Sequence, residues 1–119
     1  MPKKGRRTML LETRIRRFDQ FTRDLDQSFN KLAQNRRISR SALAHVFWYE
    51  SFFRALENDP QWQSIAKASL EVIARFKNLA EAFNNGQSDA VTDHLAHQFA
   101  KAVDKNTEEV LKCLISKPV

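Results

Sequence analysis

The chain has 119 residues, about the length of one domain with its own buried core. Hydrophobic residues make up 42% and charged residues 29%, which is typical of a globular protein. No run of about 18 apolar residues is present, so we expect no membrane partner. The basic start is not followed by an apolar segment of signal-peptide length, and we therefore expect a cytoplasmic protein.

The net charge of +6 is distributed unevenly along the chain. Residues 1–40 hold twelve Lys or Arg and four Asp or Glu, whereas residues 41–119 hold eight and ten. The whole basic excess therefore lies in the first third. A concentrated positive field attracts polyanions, so this asymmetry indicates a polyanionic partner.

The first predicted element is a long amphipathic helix from Thr8 to about Gln34. Glycine occurs only at positions 5 and 86, which argues against an all-β fold. Apolar residues instead recur at steps of three and four, as one face of a helix requires. They are Leu11, Ile15, Phe18, Leu25, Phe29 and Leu32, with Thr22 in the same register.

Further helices follow in chain order. Ser39 is the predicted N-cap of a second helix. "ENDPQW" (57–62) ends that helix, and Pro60 is expected to open a third. "NNGQSD" (84–89) separates the third helix from a fourth, and "KNTEE" (105–109) could cap a short fifth. We predict an all-α bundle of four to five amphipathic helices over residues 8–119, preceded by a basic flexible arm over residues 1–7.

Two stretches carry cations without neighbouring carboxylates. One is the amino-terminal tail, and the other runs from Gln27 to Tyr49. Phosphate binding needs such cations, and arginine offers a fork that fits phosphate. Amide groups near Ser39 would add the positive end of a helix. The candidate nucleic-acid-binding residues of these stretches are Lys3, Lys4, Arg6, Arg7, Lys31, Arg36, Arg37, Ser39 and Arg40; Arg14 on the first helix is added by the resemblance described below. The alternative is a solvated surface that binds nothing specific.

The second helix is apolar on nearly every side. Such a helix must be covered on several sides, which indicates either the core of the bundle or a subunit interface. Stacking of nucleic-acid bases on Trp48 or Tyr49 is a further alternative. The candidate interface residues are Phe47, Trp48, Tyr49, Phe52 and Phe53.

Enzyme signatures are missing from the sequence. It contains no GxGxxG, GxxxxGK, HExxH or nucleophile-elbow motif. His94 and His97 have the i,i+3 spacing of two metal ligands, but only the acids Asp89 and Asp93 lie nearby to complete a site. A solvent-facing histidine pair is the favoured interpretation. We therefore predict a non-enzymatic protein without cofactor or metal.

Part of the chain resembles ribbon-helix-helix DNA-binding proteins. In "LAQNRRISRSALAHVFW" (32–48), a Leu-Ala pair ends a helix, a short basic turn follows, and a Ser-Arg-Ser cap opens the next helix. The matching residues are Leu32, Ala33, Ile38, Ser39, Arg40, Ser41, Ala42 and Leu43. The resemblance implies that "TRIRRF" (13–18) is a strand that contacts the major groove through Arg14 and Arg16.

The second half, "LEVIARFKNLAEAFNNGQSD" (70–89), is loosely similar to the helical tail of plasmid mobilisation accessory proteins. These proteins join a similar DNA-binding unit to that tail and help to assemble the relaxosome. The resemblance therefore implies a role in a nucleoprotein complex.

Two functional hypotheses follow. The leading one is a helical protein that binds DNA or RNA through its basic first third, as a dimer or as a subunit of a larger nucleoprotein complex. The alternative is a protein–protein interaction module, such as an adaptor or a chaperone-like subunit, whose partner binds the aromatic second helix.

Overall fold

The computed structural model describes residues 2–116 and, within them, the side chains of residues 13–112. It contains four helices: α1 (Pro2–Asn35), α2 (Arg40–Leu56), α3 (Gln63–Asn84) and α4 (Asp89–Ser116). The described range holds no strand, so the prediction of an all-α bundle is confirmed. None of its helices combines the length and the apolar character needed to cross a membrane.

Helix α3 lies at the centre of the bundle and packs against the other three helices. Its composition explains this position, because apolar residues occupy a broad face of the helix, opposite an exposed stripe that includes Lys67, Glu71 and Glu81. Val72, Ile73, Phe76 and Leu79 are all buried there. The side chains that meet them from α1 and α2 include Phe21, Leu25, Leu32, Val46, Phe53 and Leu56.

Aromatic contacts join α1 to its neighbours. Phe21 packs edge-on against Phe53 of α2, with ring centroids 4.9 Å apart. Phe29 stacks on Phe99 of α4, with ring centroids 5.3 Å apart. Such pairs add about 0.5–1.5 kcal/mol each beyond the apolar area they bury. They fix α1 against α2 at one level and against α4 at another.

Two buried polar groups form hydrogen bonds between helices. The Nδ2 of Asn106 on α4 donates to the Oγ of Ser69 on α3 at 2.8 Å, and both residues are buried. The hydroxyl of Tyr49 on α2 donates to Oδ2 of Asp24 on α1 at 2.6 Å. Each bond satisfies a polar group that would otherwise be costly inside the protein.

The ends of α2 and α3 follow local sequence signals. Ser39 caps α2 as predicted, since its Oγ accepts from the amide of Ala42 at 3.2 Å. Gly86, with φ of +68°, ends the turn after α3 in the left-handed conformation that glycine favours. Here the amide of Gln87 donates to the carbonyl oxygen of Ala82 at 3.0 Å.

Two predicted boundaries differ from the structure. Helix α3 begins at Gln63 and not at Pro60, because the Asp59 carboxylate accepts from the amide of Gln61 at 3.0 Å and closes a separate turn. A fifth helix does not form, because α4 continues unbroken through residues 105–109. The Thr107 hydroxyl donates to the carbonyl oxygen of Val103 at 3.1 Å, within the helix, instead of capping a new one.

The predicted arm over residues 1–7 gains no support from the helix bounds, since α1 begins at Pro2. The side chains of Lys3, Lys4, Arg6 and Arg7 lie outside the described residues. Their role in phosphate binding therefore stays a prediction.

Candidate nucleic-acid interface

The short link between α1 and α2 is anchored at two positions. Arg36 has φ of +54°, and its guanidinium pairs with Asp89 at the start of α4 and lies over the ring of Phe83. The amide of Ile38 donates to Oδ1 of Asn84 at 3.0 Å, and Nδ2 of Asn84 donates back to the carbonyl oxygen of Ile38 at 3.2 Å. These contacts hold the backbone of the link against α3 and α4.

Arg37 and Arg40 project from this anchored link into solvent. Both are exposed, and within residues 13–112 the side chain of neither forms a hydrogen bond or an ion pair. Lys31, one turn before the end of α1, is also exposed and unpaired in the same range. We call Lys31, Arg37, Ser39, Arg40 and Ser41 the α2 corner.

The first turn of α2 adds its own positive potential to the α2 corner. It contains no acidic residue. The first amides of a helix lack partners inside the helix. Ser39 satisfies those of Ala42 and Leu43, while within the described part of the chain no bond occupies those of Arg40 and Ser41. Free amides, a helix N-terminus and two guanidiniums together form an environment that favours an anion.

Arg14 lies far from the α2 corner and is already paired. Its Nη1 donates to Oδ2 of Asp59 at 2.7 Å, and each of the two side chains is only 29% exposed. The hydrogen bond from Arg14 lowers the pKa of Asp59 below its usual range. At 1.5 Å per helical residue, Arg14 and Asn35 lie about 30 Å apart along α1. Arg14 therefore cannot share one phosphate-binding surface with Arg37.

The predicted cations thus divide into two groups. Arg14 and Arg36 are neutralised by Asp59 and Asp89, which lie 45 and 53 positions away in the sequence. The residues of the α2 corner, Lys31, Arg37 and Arg40, are not. Residues 13–18, which the ribbon-helix-helix resemblance places in a strand, lie within α1.

The aromatic residues of α2 have three different environments. Tyr49 and Phe53 are buried in the core, where Phe21 contacts both. Burial raises the pKa of Tyr49 above its usual value, and the hydrogen bond to Asp24 raises it further. Phe47 is half-buried, with the ammonium of Lys77 5.3 Å from its ring centroid.

Trp48 is different, because 54% of it is exposed. The guanidinium carbon of Arg17, on α1, lies 5.0 Å from the centroid of the indole and 5.9 Å from that of the half-buried Phe52. The arrangement is a cation–π contact at the junction of α1 and α2. It places a cation beside an exposed aromatic ring.

A second basic surface lies between α3 and α4 and was missed at the sequence level. Lys67, Arg75, Lys101 and Lys105 line one groove there, together with Glu71. Arg75 is already bound to Glu71 at 2.7 Å and to Gln98 at 3.1 Å. The spacing of Lys101 and Lys105 shows that they share one face of α4. Their proximity to α3 depends on helix packing, which local spacing does not reveal.

His94 and His97 lie on α4, and both are exposed. Nε2 of His94 lies 3.2 Å from Nε2 of Gln98, one turn along α4. Among the described residues, no group of three or more His, Cys, Asp or Glu side chains could hold a metal ion.

Comparison with known proteins gives no assignment. No protein-family model, no curated protein sequence and no solved structure matches this chain. The resemblance to ribbon-helix-helix proteins and to mobilisation accessory proteins therefore stays a prediction.

Proposed function

We propose that this protein binds nucleic acid, DNA or RNA, through phosphate contacts at the α2 corner. The observation that carries the proposal is the combination of Arg37 and Arg40, both exposed and unpaired in the described structure, with an acid-free first turn of α2. Arginine forks and free helix amides both bind phosphate oxygens. A site built from backbone and cations also fits the largely sequence-independent part of nucleic-acid binding.

The anchoring of the link supports this location. Arg36 and Ile38 hold the backbone through Asp89 and Asn84, so the intervening Arg37 starts from a fixed position. A fixed backbone lowers the entropy lost when a ligand binds. Arg36 pairs with Asp89 through Nη2, which compensates part of its charge, so we expect it to contribute less to phosphate binding than Arg37 does.

The groove between α3 and α4 is the less suitable of the two basic surfaces. Its only arginine, Arg75, is engaged by Glu71 and Gln98. The remaining cations are lysines on flexible side chains, and the groove includes no helix N-terminus. It therefore lacks the arginine fork and the amides that the α2 corner offers.

The proposal also includes the tail residues Lys3, Lys4, Arg6 and Arg7, which would add phosphate contacts as a basic arm. It further includes assembly as a dimer or as part of a larger nucleoprotein complex. Both features rest on the charge pattern and on the apolar second helix of the sequence.

A charge-reversal experiment tests the proposal. The Arg37→Glu/Arg40→Glu variant should bind a fluorescent oligonucleotide at least about 10-fold more weakly than the wild type at low salt. Lys101→Glu/Lys105→Glu is the matched control, because it makes the same change in net charge on the surface between α3 and α4. The control should keep most of the affinity.

Two results would count against the proposal. If the wild-type protein fails to bind duplex DNA, single-stranded DNA and RNA at low salt, nucleic acid is not its partner. If the control variant loses affinity and the Arg37→Glu/Arg40→Glu variant does not, the phosphates bind between α3 and α4.

The alternative function is a protein–protein interaction module centred on α2. The exposure of Trp48 favours it. However, Tyr49 and Phe53 are used by the core, and Phe47 and Phe52 are half-buried. The exposed apolar surface of α2 is thus centred on the ring of Trp48, and the five predicted interface residues do not form a continuous exposed stripe. A stable protein interface needs a larger contact area than one ring supplies, so this function ranks second.

A further inference from the structure

We infer that the nucleic acid is single-stranded and that one of its bases stacks on Trp48. This inference rests on the proposed function and extends it to a class of ligand. Proteins that bind single strands combine a basic surface along the backbone with exposed aromatic rings that bases cover. The surface of α2 carries both features.

The indole of Trp48 is accessible to a planar group. More than half of the residue is exposed, although the guanidinium of Arg17 already lies over the ring. The neighbouring positions on the exposed side of α2 carry small side chains, Ala44 one turn before and Ser51 and Ala55 after, and all three are exposed. His45, one turn before Trp48, is also exposed, and Phe52, one turn after it, is half-buried, so a planar ligand would approach the ring from the side of Ala44 and Ser51.

The charges around the ring favour a nucleic acid over an acidic or apolar protein segment. Arg17 supplies a cation next to the indole, where the phosphate of a stacked nucleotide would need one. The one acid of α2, Glu50, keeps 41% of its side chain exposed, but it lies 3.9 Å from the guanidinium of Arg54, which compensates its charge. The cation can contact a phosphate of the nucleic acid, and the indole can contact one of its bases.

The distance between ring and cations also suits a single strand. Arg40 and Trp48 are eight residues apart on one helix, about 12 Å along its axis. Both lie on the exposed side of α2. A strand whose backbone binds at the α2 corner can therefore continue along α2 to the indole. In a duplex the base faces are covered by neighbouring pairs, so stacking on Trp48 requires an unpaired base.

The test compares two ligands with the same number of phosphates. One is a 12-nucleotide oligothymidylate, and the other is a 12-unit abasic strand. The wild-type protein should bind the thymidylate about 5- to 150-fold more tightly, the range that alanine substitution gives for one stacked base. The Trp48→Ala variant should bind both strands equally, at the affinity of the abasic strand. Trp48→Phe should retain part of the preference.

Controls separate stacking from other effects. Leu111→Ala removes another large apolar residue, 51% exposed on α4, and should leave both affinities unchanged. Thymidylate should quench the fluorescence of the wild-type protein and not that of Trp48→Phe, because the remaining Trp62 is buried. Thermal unfolding of each variant checks that the fold is retained.

The outcomes distinguish this inference from the proposed function. Equal binding of the two strands by the wild type, or unchanged binding by Trp48→Ala, would refute stacking while the phosphate site stands. The exposed indole would then be assigned to a protein partner. Failure of the wild type to bind either strand at low salt would overturn both proposals.

Discussion

Replacing Tyr49 with phenylalanine should destabilise the protein at neutral pH and remove a stability loss at high pH. Tyr49 is 5% exposed, and its hydroxyl donates to Asp24 at 2.6 Å. A hydrogen bond to a charged group contributes about 1.5–3 kcal/mol. Asp24 is only half-buried and keeps a second donor, Nε2 of Gln20 at 2.9 Å, so we expect a loss of about 1–2 kcal/mol.

The pH dependence follows from the raised pKa of Tyr49. In the unfolded chain the phenol loses its proton near pH 10, whereas in the folded protein it keeps the proton to a higher pH. The unfolded state therefore binds fewer protons above pH 10, and folding stability falls as pH rises. The slope is about 1.4 kcal/mol per pH unit. By about pH 11 the wild type should have lost its advantage over Tyr49→Phe.

Two measurements check this expectation. Urea unfolding at pH 7, 9, 10 and 11 gives the difference in stability, and Tyr49→Phe controls for the lysines that titrate in the same range. Because Tyr49 is the only tyrosine in the chain, phenolate absorbance reports on it alone. A native phenol that titrates near pH 10, or parallel stability curves for the two proteins, would refute the hydrogen bond and the burial that we infer.

Two further predictions concern stability. Asn106→Ala should lower the free energy of unfolding in urea by about 1–3 kcal/mol, because it leaves the buried hydroxyl of Ser69 without its partner. A double variant that also carries Ser69→Ala should recover part of that loss. Additive effects of the two substitutions would contradict the direct bond. Gly86→Ala should lower stability by about 1–2 kcal/mol through left-handed backbone strain alone, since no atom lies within 4 Å of the added methyl group. Gly86→Asn should cost less, and equal losses for Ala and Asn would argue against this origin.

Local features of the fold could be predicted from the sequence. Ser39 caps α2 and Gly86 ends the turn after α3, because each depends only on a few neighbouring residues. The start of α3 was predicted three residues early. Asp59 has the side chain of an N-cap, but its carboxylate closes a turn and binds Arg14 of α1. The bond to Gln61 is local, whereas the pairing with Arg14 depends on how α1 packs and is not visible in the neighbouring residues.

The candidate site could be predicted only in part for the same reason. The basic stretch predicted a phosphate-binding site at the link between α1 and α2, but the sequence gives no reason to distinguish Arg36 from Arg37. Only the packing of α4 brings Asp89 to one of them and leaves the other in solvent. Similarly, an apolar pattern on all sides of α2 could not show that Trp48 would stay exposed. The direction from which other helices cover α2 is a property of the folded bundle.

The salt dependence of binding tests the central claim most directly. Each phosphate contact to a single strand contributes about −0.7 to the slope of log affinity against log salt. We expect Arg37→Gln/Arg40→Gln to make this slope less steep by about 1.4, and Lys101→Gln/Lys105→Gln to leave it unchanged. An unchanged slope in the first variant, or a flatter one only in the second, would show that the α2 corner does not hold the phosphates.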